Sequence, residues 1–293
     1  MHRLKPLLGI LFCLLLGAVF LVAGSDGGVM LGGLPLFALC GVIGFVLHWL
    51  AFIPSFARQT EQFFDLTGAL SFLVTVAVAL LCVPRIDIRT ALLAVMVSVW
   101  ALRLGSFLFL RIRKAGADRR FDHIKPYFWR FLFSWTLGGL WVLVTLAPAL
   151  AAMTTLFQQT MDVGSYVGIG LWLTGFIVEV VADQQKTRFR QRPENQGRFI
   201  SSGLWAWSRH PNYFGEILLW LGVALVALPV LAGWQLLTLL SPLLVIVLLT
   251  RVSGIPLLEK KADAQWGNEE AYQAYKQNTP VLIPWKPPQA ASR

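Results

Sequence analysis

Apolar residues fall in eight runs along the chain, each about the twenty residues that an α-helix needs to cross bilayer hydrocarbon. The runs cover Leu4–Ala23, Leu34–Ile53, Phe64–Val83, Ala91–Leu110, Phe131–Ala151, Gly164–Ala182, Asn212–Leu231 and Trp234–Thr250. Serial spans joined by short connections pack as one bundle rather than as separable units. The pattern therefore predicts an all-α polytopic transmembrane bundle of seven or eight spans. It is read as a single membrane domain over residues 1–293, with spans to residue 110 framing a substrate cavity and residues 111–293 forming a cofactor half. The first run follows His2, Arg3 and Lys5 and ends in small residues, as a secretory signal would. Its length, and the seven runs behind it, favour a retained first span; its removal leaves seven.

The polar residues sit in few places. Arg111–Arg130, Asp183–Arg209 and the segment after Arg251 hold nearly all the charge, and none shows hydrophobic periodicity of its own until the tail. In the tail, Leu257 to Gln265 predicts a surface helix and a second short helix passes through Tyr272 and Tyr275. Pro280, Pro284, Pro287 and Pro288 then exclude further regular helix. Counting Lys and Arg in alternate connections puts Arg3, Lys5, Arg58 and both long basic loops on one side with the tail, against only Arg85 and Arg89 on the other. Basic residues near span ends stay in the cytoplasm, so both long loops and the tail are expected there, in a bacterial inner membrane. This accounts for a formal charge of +10 in a chain that is 56% hydrophobic and 14% charged. No aromatic-basic motif accompanies the charge, so no nucleic-acid partner is expected. Cys13, Cys40 and Cys82 are isolated in apolar stretches and read as packing residues, and no metal-ligand set is present.

Ionisable side chains inside spans are costly, which makes them site candidates. Arg103 lies in span four, Glu179 late in span six, Glu216 one turn into span seven, and Glu61 and Asp65 open span three. His48, beside Trp49, reads as an interfacial residue, and Glu179 as a solvated one near its span's end. The densest constellation is Asp183-Gln-Gln-Lys-Thr-Arg-Phe-Arg190, followed by Gly203-Leu-Trp-Ala-Trp-Ser-Arg-His-Pro-Asn-Tyr-Phe-Gly-Glu216. Pro211 suits a first helical turn, which places Asn212, Tyr213 and Glu216 at a helix amino terminus, where free N–H groups and the dipole favour an anion. Arg190, Arg198, Arg209 and His210 add donors suited to phosphate. Tyr272 and Tyr275 share a helix face that would cover the same pocket or pack on the membrane surface. There is no GxGxxG and no Walker loop, so a nucleotide here is held in a non-Rossmann manner.

At Arg209-His-Pro-Asn-Tyr-Phe-Gly-Glu216 the sequence resembles a membrane superfamily containing steroid 5-alpha-reductases, sterol reductases and isoprenylcysteine carboxyl methyltransferases. The likeness extends through Asp183 to Arg190, the Gly203-Leu204 turn, and the ending Tyr275 then Leu-Ile-Pro284; the chain looks most like a bacterial branch allied with the steroid reductases. The resemblance implies that NADPH enters from the cytoplasm and is held by Asp183, Arg190, Asn212 and Glu216, helped by Arg111. It implies hydride transfer to an activated carbon–carbon double bond, with an acid on the substrate oxygen. The positions matching the family's Glu and Tyr for that task are Phe52 and Trp100, neither of which can donate to a carbonyl. Glu61, Asp65 or Arg103 would then supply the polar group, in an apolar cavity between spans one to four.

The reading that follows is an NADPH-dependent membrane reductase acting on a lipid-like steroid, sterol or isoprenoid, in contact with membrane lipid. An S-adenosylmethionine-dependent methyltransferase is the alternative, since Arg-His-Pro, Tyr, Gly-Glu and Glu259 with the paired tyrosines also suit it. A non-catalytic lipid-binding scaffold is the third reading.

Overall fold

A computed structural model describes residues 4–116, 118 and 121–285. Among them, eight helical stretches are long and apolar enough to cross a membrane, and they coincide with the eight apolar runs. The chain is thus a multi-pass helical membrane protein. In order the helices are α1 (Leu4–Gly24), α2 (Leu36–Gly41), α3 (Ile43–Ala57), α4 (Phe64–Cys82), α5 (Ile88–Ala115), α6 (Phe128–Thr154), α7 (Val163–Gln191), α8 (Pro211–Ala227), α9 (Ser241–Val247), α10 (Ile255–Trp266) and α11 (Glu270–Asn278). One small hairpin, β1 (Met30–Leu31) with β2 (Leu34–Pro35), turns through Gly32 and Gly33 and precedes α2.

Two compact units emerge. The first holds residues up to Tyr166 together with Val223–Ser241. Its centre is α6, buried without interruption from Val142 to Thr154, and α1, α3, α4 and α5 pack around it. Arg89, expected in a solvent loop, is instead 2% exposed in the first turn of α5. Its guanidinium donates to the Val226 carbonyl, to Ser165 Oγ at 2.8 Å and to the Thr160 carbonyl at 2.9 Å. It therefore satisfies the Val226 carbonyl at the end of α8, which would otherwise lack a donor, and ties it to the connection before α7. Only Arg85 remains as a surface cation of that connection.

The second unit holds Val167–Gly222 and Pro242 onward. Here α7 and α8 approach backbone to backbone. A Cβ on Gly215 would lie 2.6 Å from the Gly175 carbonyl, and one on Gly175 would meet the Leu219 amide at 2.6 Å. Small residues of this kind are what lets helices associate where lipid removes the hydrophobic driving force.

Three boundaries correct the sequence reading. α5 continues to Ala115, so Arg111 is helical and not in a loop. α7 continues to Gln191, so Asp183 to Arg190 extends the helix beyond its apolar part. The last span is not uniform: it begins as a 3₁₀ segment (Gly233–Leu240), passes through α9, and ends in a π-turn (Leu248–Val252) before α10. Apolar periodicity records which residues meet lipid, and it falls silent where a helix runs on into water.

Candidate functional site

The continuation of α7 places Asp183, Lys186 and Arg190 three and four residues apart, on one helical face. The Gly203-Leu-Trp turn docks beside them. Trp205 Nε1 donates to the Ala182 carbonyl at 3.0 Å, the Leu204 N–H donates to Gln185 Oε1 at 2.9 Å, and Lys186 Nζ lies 4.2 Å over the Trp205 ring. Gly203 has φ +63°, in the left-handed region that favours glycine, and Gln185 packs where a side chain would stand.

The chain then enters α8 at Ser208-Arg209-His210. The carboxy-terminal strap fixes this approach: the Arg209 N–H donates to the Pro280 carbonyl at 2.9 Å, and Ser208 Oγ to the Leu282 carbonyl at 2.7 Å. The Leu-Ile-Pro ending thus holds the segment that leads into α8. Arg209 Nη1 meets Glu259 Oε2 at 2.7 Å, and His210 Nε2 meets Glu259 Oε1 at 2.8 Å. The His210 ring lies nearly parallel to Tyr213, with centroids 5.8 Å apart, and the far side of Tyr213 abuts the Gly254 turn. His210 is buried, and burial holds its imidazole below the ordinary value near 6.5 despite the Glu259 carboxylate. Nε2–H donates to Glu259 in the neutral ring, which leaves Nδ1 as a bare acceptor. That Nδ1 and Arg209 Nε are both buried without a hydrogen-bond partner among the described residues.

Tyr275 is placed differently from a pocket residue's free phenol. Its hydroxyl donates to the Trp205 carbonyl at 2.7 Å, and burial raises its pKa well above the usual phenol range. Tyr272 donates to Asp263 at 3.1 Å and is pushed up to about 12 by burial and that carboxylate. Phe199 packs against both rings. Arg190 and Arg198 are exposed, Asn212 and Glu216 half-buried, and Asp183 buried, so the second unit carries all of these predicted residues. Arg111 stands exposed near the end of α5, in the first unit. Glu259 is the acceptor on which the cluster converges. Glu259 and Asp263 lie four apart on α10, as Tyr272 and Lys276 do on α11, and Lys276 Nζ reaches Asp263 at 2.6 Å.

In the first unit a cavity of about 120 Å³ opens between α3, α4, α5 and α6. It lies between spans two to five; α1 lines none of it. Trp100 and Asp65 line it, whereas Glu61, Arg103 and Phe52 do not. Glu61 is 4% exposed and accepts from the Asp118 N–H at 2.7 Å and from Lys125 Nζ at 3.0 Å, so it anchors the connection after α5. Arg103 lies 5.3 Å over the Phe107 ring, and Phe52 belongs to an aromatic cluster with Phe56, Phe128 and Phe131. His48, read from sequence as interfacial, is 1% exposed and lines the cavity.

The profile of the family described as protein of unknown function DUF1295 matches residues 51–279, from the last two turns of α3 through α11. The chain belongs to the DUF1295 family. The names of its curated relatives support the steroid reductase-like resemblance. It is 29% identical over 119 residues to 3-oxo-5-alpha-steroid 4-dehydrogenase 1 of Rattus norvegicus, covering 40% of each chain. It is 34% identical over 61 residues to the Homo sapiens protein of that name, covering 21% of this chain and 24% of the relative. An uncharacterized protein of Schizosaccharomyces pombe is 26% identical over 167 residues, 45% of this chain and 46% of its own. This DUF1295 chain therefore spans less than half the length of these relatives. No solved structure matches it.

Proposed function

We propose that this DUF1295 chain is a membrane oxidoreductase that binds NADPH in its second unit and reduces a carbon–carbon double bond of a lipid-like steroid, sterol or isoprenoid. The observation that carries the reading is the cluster at the start of α8, where His210 Nδ1 and Arg209 Nε are buried and unpartnered beside Glu259. Orphaned buried polar atoms cost free energy unless a ligand or water meets them. The donor set suits a dinucleotide phosphate. Arg190 and Arg198 offer exposed cations to phosphate groups, His210 Nδ1 accepts from an amide or hydroxyl, and the Asn212 amide can do both. Bound NADPH would supply the hydride. The protein's share is to orient the cofactor by these contacts, and the Pro280–Leu282 strap keeps Arg209 and His210 in place while it does so.

The similarity to proteins named 3-oxo-5-alpha-steroid 4-dehydrogenase supports a reductase and a lipid-like acceptor. The apolar cavity of the first unit is assigned to that acceptor. The basic segments are assigned to the cytoplasmic face of a bacterial inner membrane, where a soluble nucleotide is available. One observation favours the methyltransferase alternative: Glu259 sets a carboxylate among the cations, and an amino-acid end group needs both.

Asn212→Ala and Glu216→Gln test the site, because both residues stand at the start of α8 on its half-buried side. Each variant should weaken NADPH binding by about threefold to tenfold, the range of one net hydrogen bond, without changing membrane insertion. Unchanged binding by both folded variants contradicts the assignment.

A further inference from the structure

His48 is the buried imidazole that lines the first unit's cavity, and its geometry specifies what it can bind. Its Nδ1 lies 2.6 Å from the Gly44 carbonyl one turn earlier on α3. A carbonyl accepts only, so Nδ1 carries the proton, and in the neutral ring Nε2 is left as a lone-pair acceptor. The ring is held edge-on by Phe64 and Trp135, each with its centroid 6.0 Å away. Nε2 makes no hydrogen bond among the described residues. Its edge faces Gly138, where a Cβ would lie 2.7 Å from Nε2 and 2.6 Å from Cδ2. Gly138 also lines the cavity, so the absence of a side chain there is what leaves the Nε2 edge open to it. The cavity walls are mainly apolar, Phe64, Phe72, Trp100, Leu104 and Trp141 among them, and Asp65 lines it at the start of α4.

An imidazole acceptor with no hydrogen bond of its own, in a mainly apolar wall, asks for a donor. The cavity, at about 120 Å³, is well below the roughly 300–1,000 Å³ of pockets that enclose a whole small molecule. It fits one end of a longer molecule. We propose that this cavity binds the hydroxyl-bearing end of a lipid alcohol, with His48 Nε2 accepting the hydrogen bond of that hydroxyl. This rests on the reading of a lipid-like substrate and narrows it to alcohols over ketones, ethers or hydrocarbons.

The test uses the full chain in detergent, with farnesol and farnesyl methyl ether as probes; the ether keeps the oxygen but cannot donate. Farnesol should bind saturably and about threefold to tenfold tighter than the ether, the range of one net hydrogen bond. His48→Phe should remove that preference. Gly68→Leu should weaken both probes and still fold, because Gly68 lines the cavity on α4 and a Cβ there meets nothing within 4 Å. NADPH binding, measured on the same preparations, should be unchanged in both variants. Saturable binding of neither probe, equal binding of the two by the unaltered protein, or a preference that survives His48→Phe overturns the proposal. Loss of NADPH binding by the unaltered protein while farnesol is still preferred would sink the cofactor reading alone.

Discussion

His210 shows how one residue's surroundings decide its chemistry. Its neighbours of charge are Glu259 on α10, which favours the imidazolium, and Lys186 on α7 and Arg209, which oppose it; burial outweighs them and lowers the pKa. The unfolded chain, with a value near 6.5, therefore binds a proton that the folded chain refuses. Stability is fully present above about pH 6.5 and is lost as pH falls through that value toward the lower folded one, with a slope of at most about 1.4 kcal/mol per pH unit for one proton. The thermal midpoint of the purified protein should fall between pH 7 and 5.5, and His210→Gln should flatten that dependence. An unaltered slope in the variant would show that another group is responsible. His210 and Arg209 were legible in the sequence because they stand in a dense motif. Glu259 was legible only as a tail carboxylate beside the paired tyrosines, since nothing there signals the partners that folding brings from 50 residues away. His48 was misread for a similar reason: proximity to Trp49 suggests an interface, and only the packing of α6 buries it.

Among the elements, α7 and α8 depend on glycines whose purpose the motif conceals. In Pro-Asn-Tyr-Phe-Gly-Glu, Gly215 occupies the place where α8 meets α7, with a Cβ position 2.7 Å from the Glu179 amide. Backbone cannot yield as a flexible side chain does, so Gly215→Leu should destabilise by about 1–3 kcal/mol or more, as overpacking does. Gly170→Leu on α7, where a Cβ meets nothing within 4 Å, is the matched control and should leave the thermal midpoint within a degree or two. Equal behaviour of the two variants would contradict the close helix contact. The spans themselves were readable because apolar runs record lipid contact directly. The 3₁₀ and π departures of the last span were not, because such departures depend on neighbouring backbone more than on side-chain pattern.

At the scale of the molecule, the eight runs and the position of their charges established a multi-pass helical protein without help from coordinates. The burial of Arg89 sharpens the charge asymmetry, since a guanidinium occupied by Ser165, Thr160 and Val226 does not act as a free loop cation. A cavity was expected between spans one to four; the cavity of the first unit is lined from spans two to five. The polar residues expected to serve it are mostly engaged elsewhere, Glu61 with Lys125 and Asp118 and Arg103 over Phe107. The second unit gathers Asp183, Arg190, Arg198, Arg209, His210, Asn212, Tyr213, Glu216 and Tyr275, which lie across almost a hundred positions of sequence. On the proposed reading this unit holds a pyridine nucleotide. Equilibrium binding of NADPH to the detergent-purified protein, beside NADH, S-adenosylmethionine and S-adenosylhomocysteine, decides it. Saturable binding of NADPH, tighter than NADH and with no S-adenosylmethionine uptake, is the predicted result. Selective binding of S-adenosylmethionine, or of neither cofactor, would contradict it.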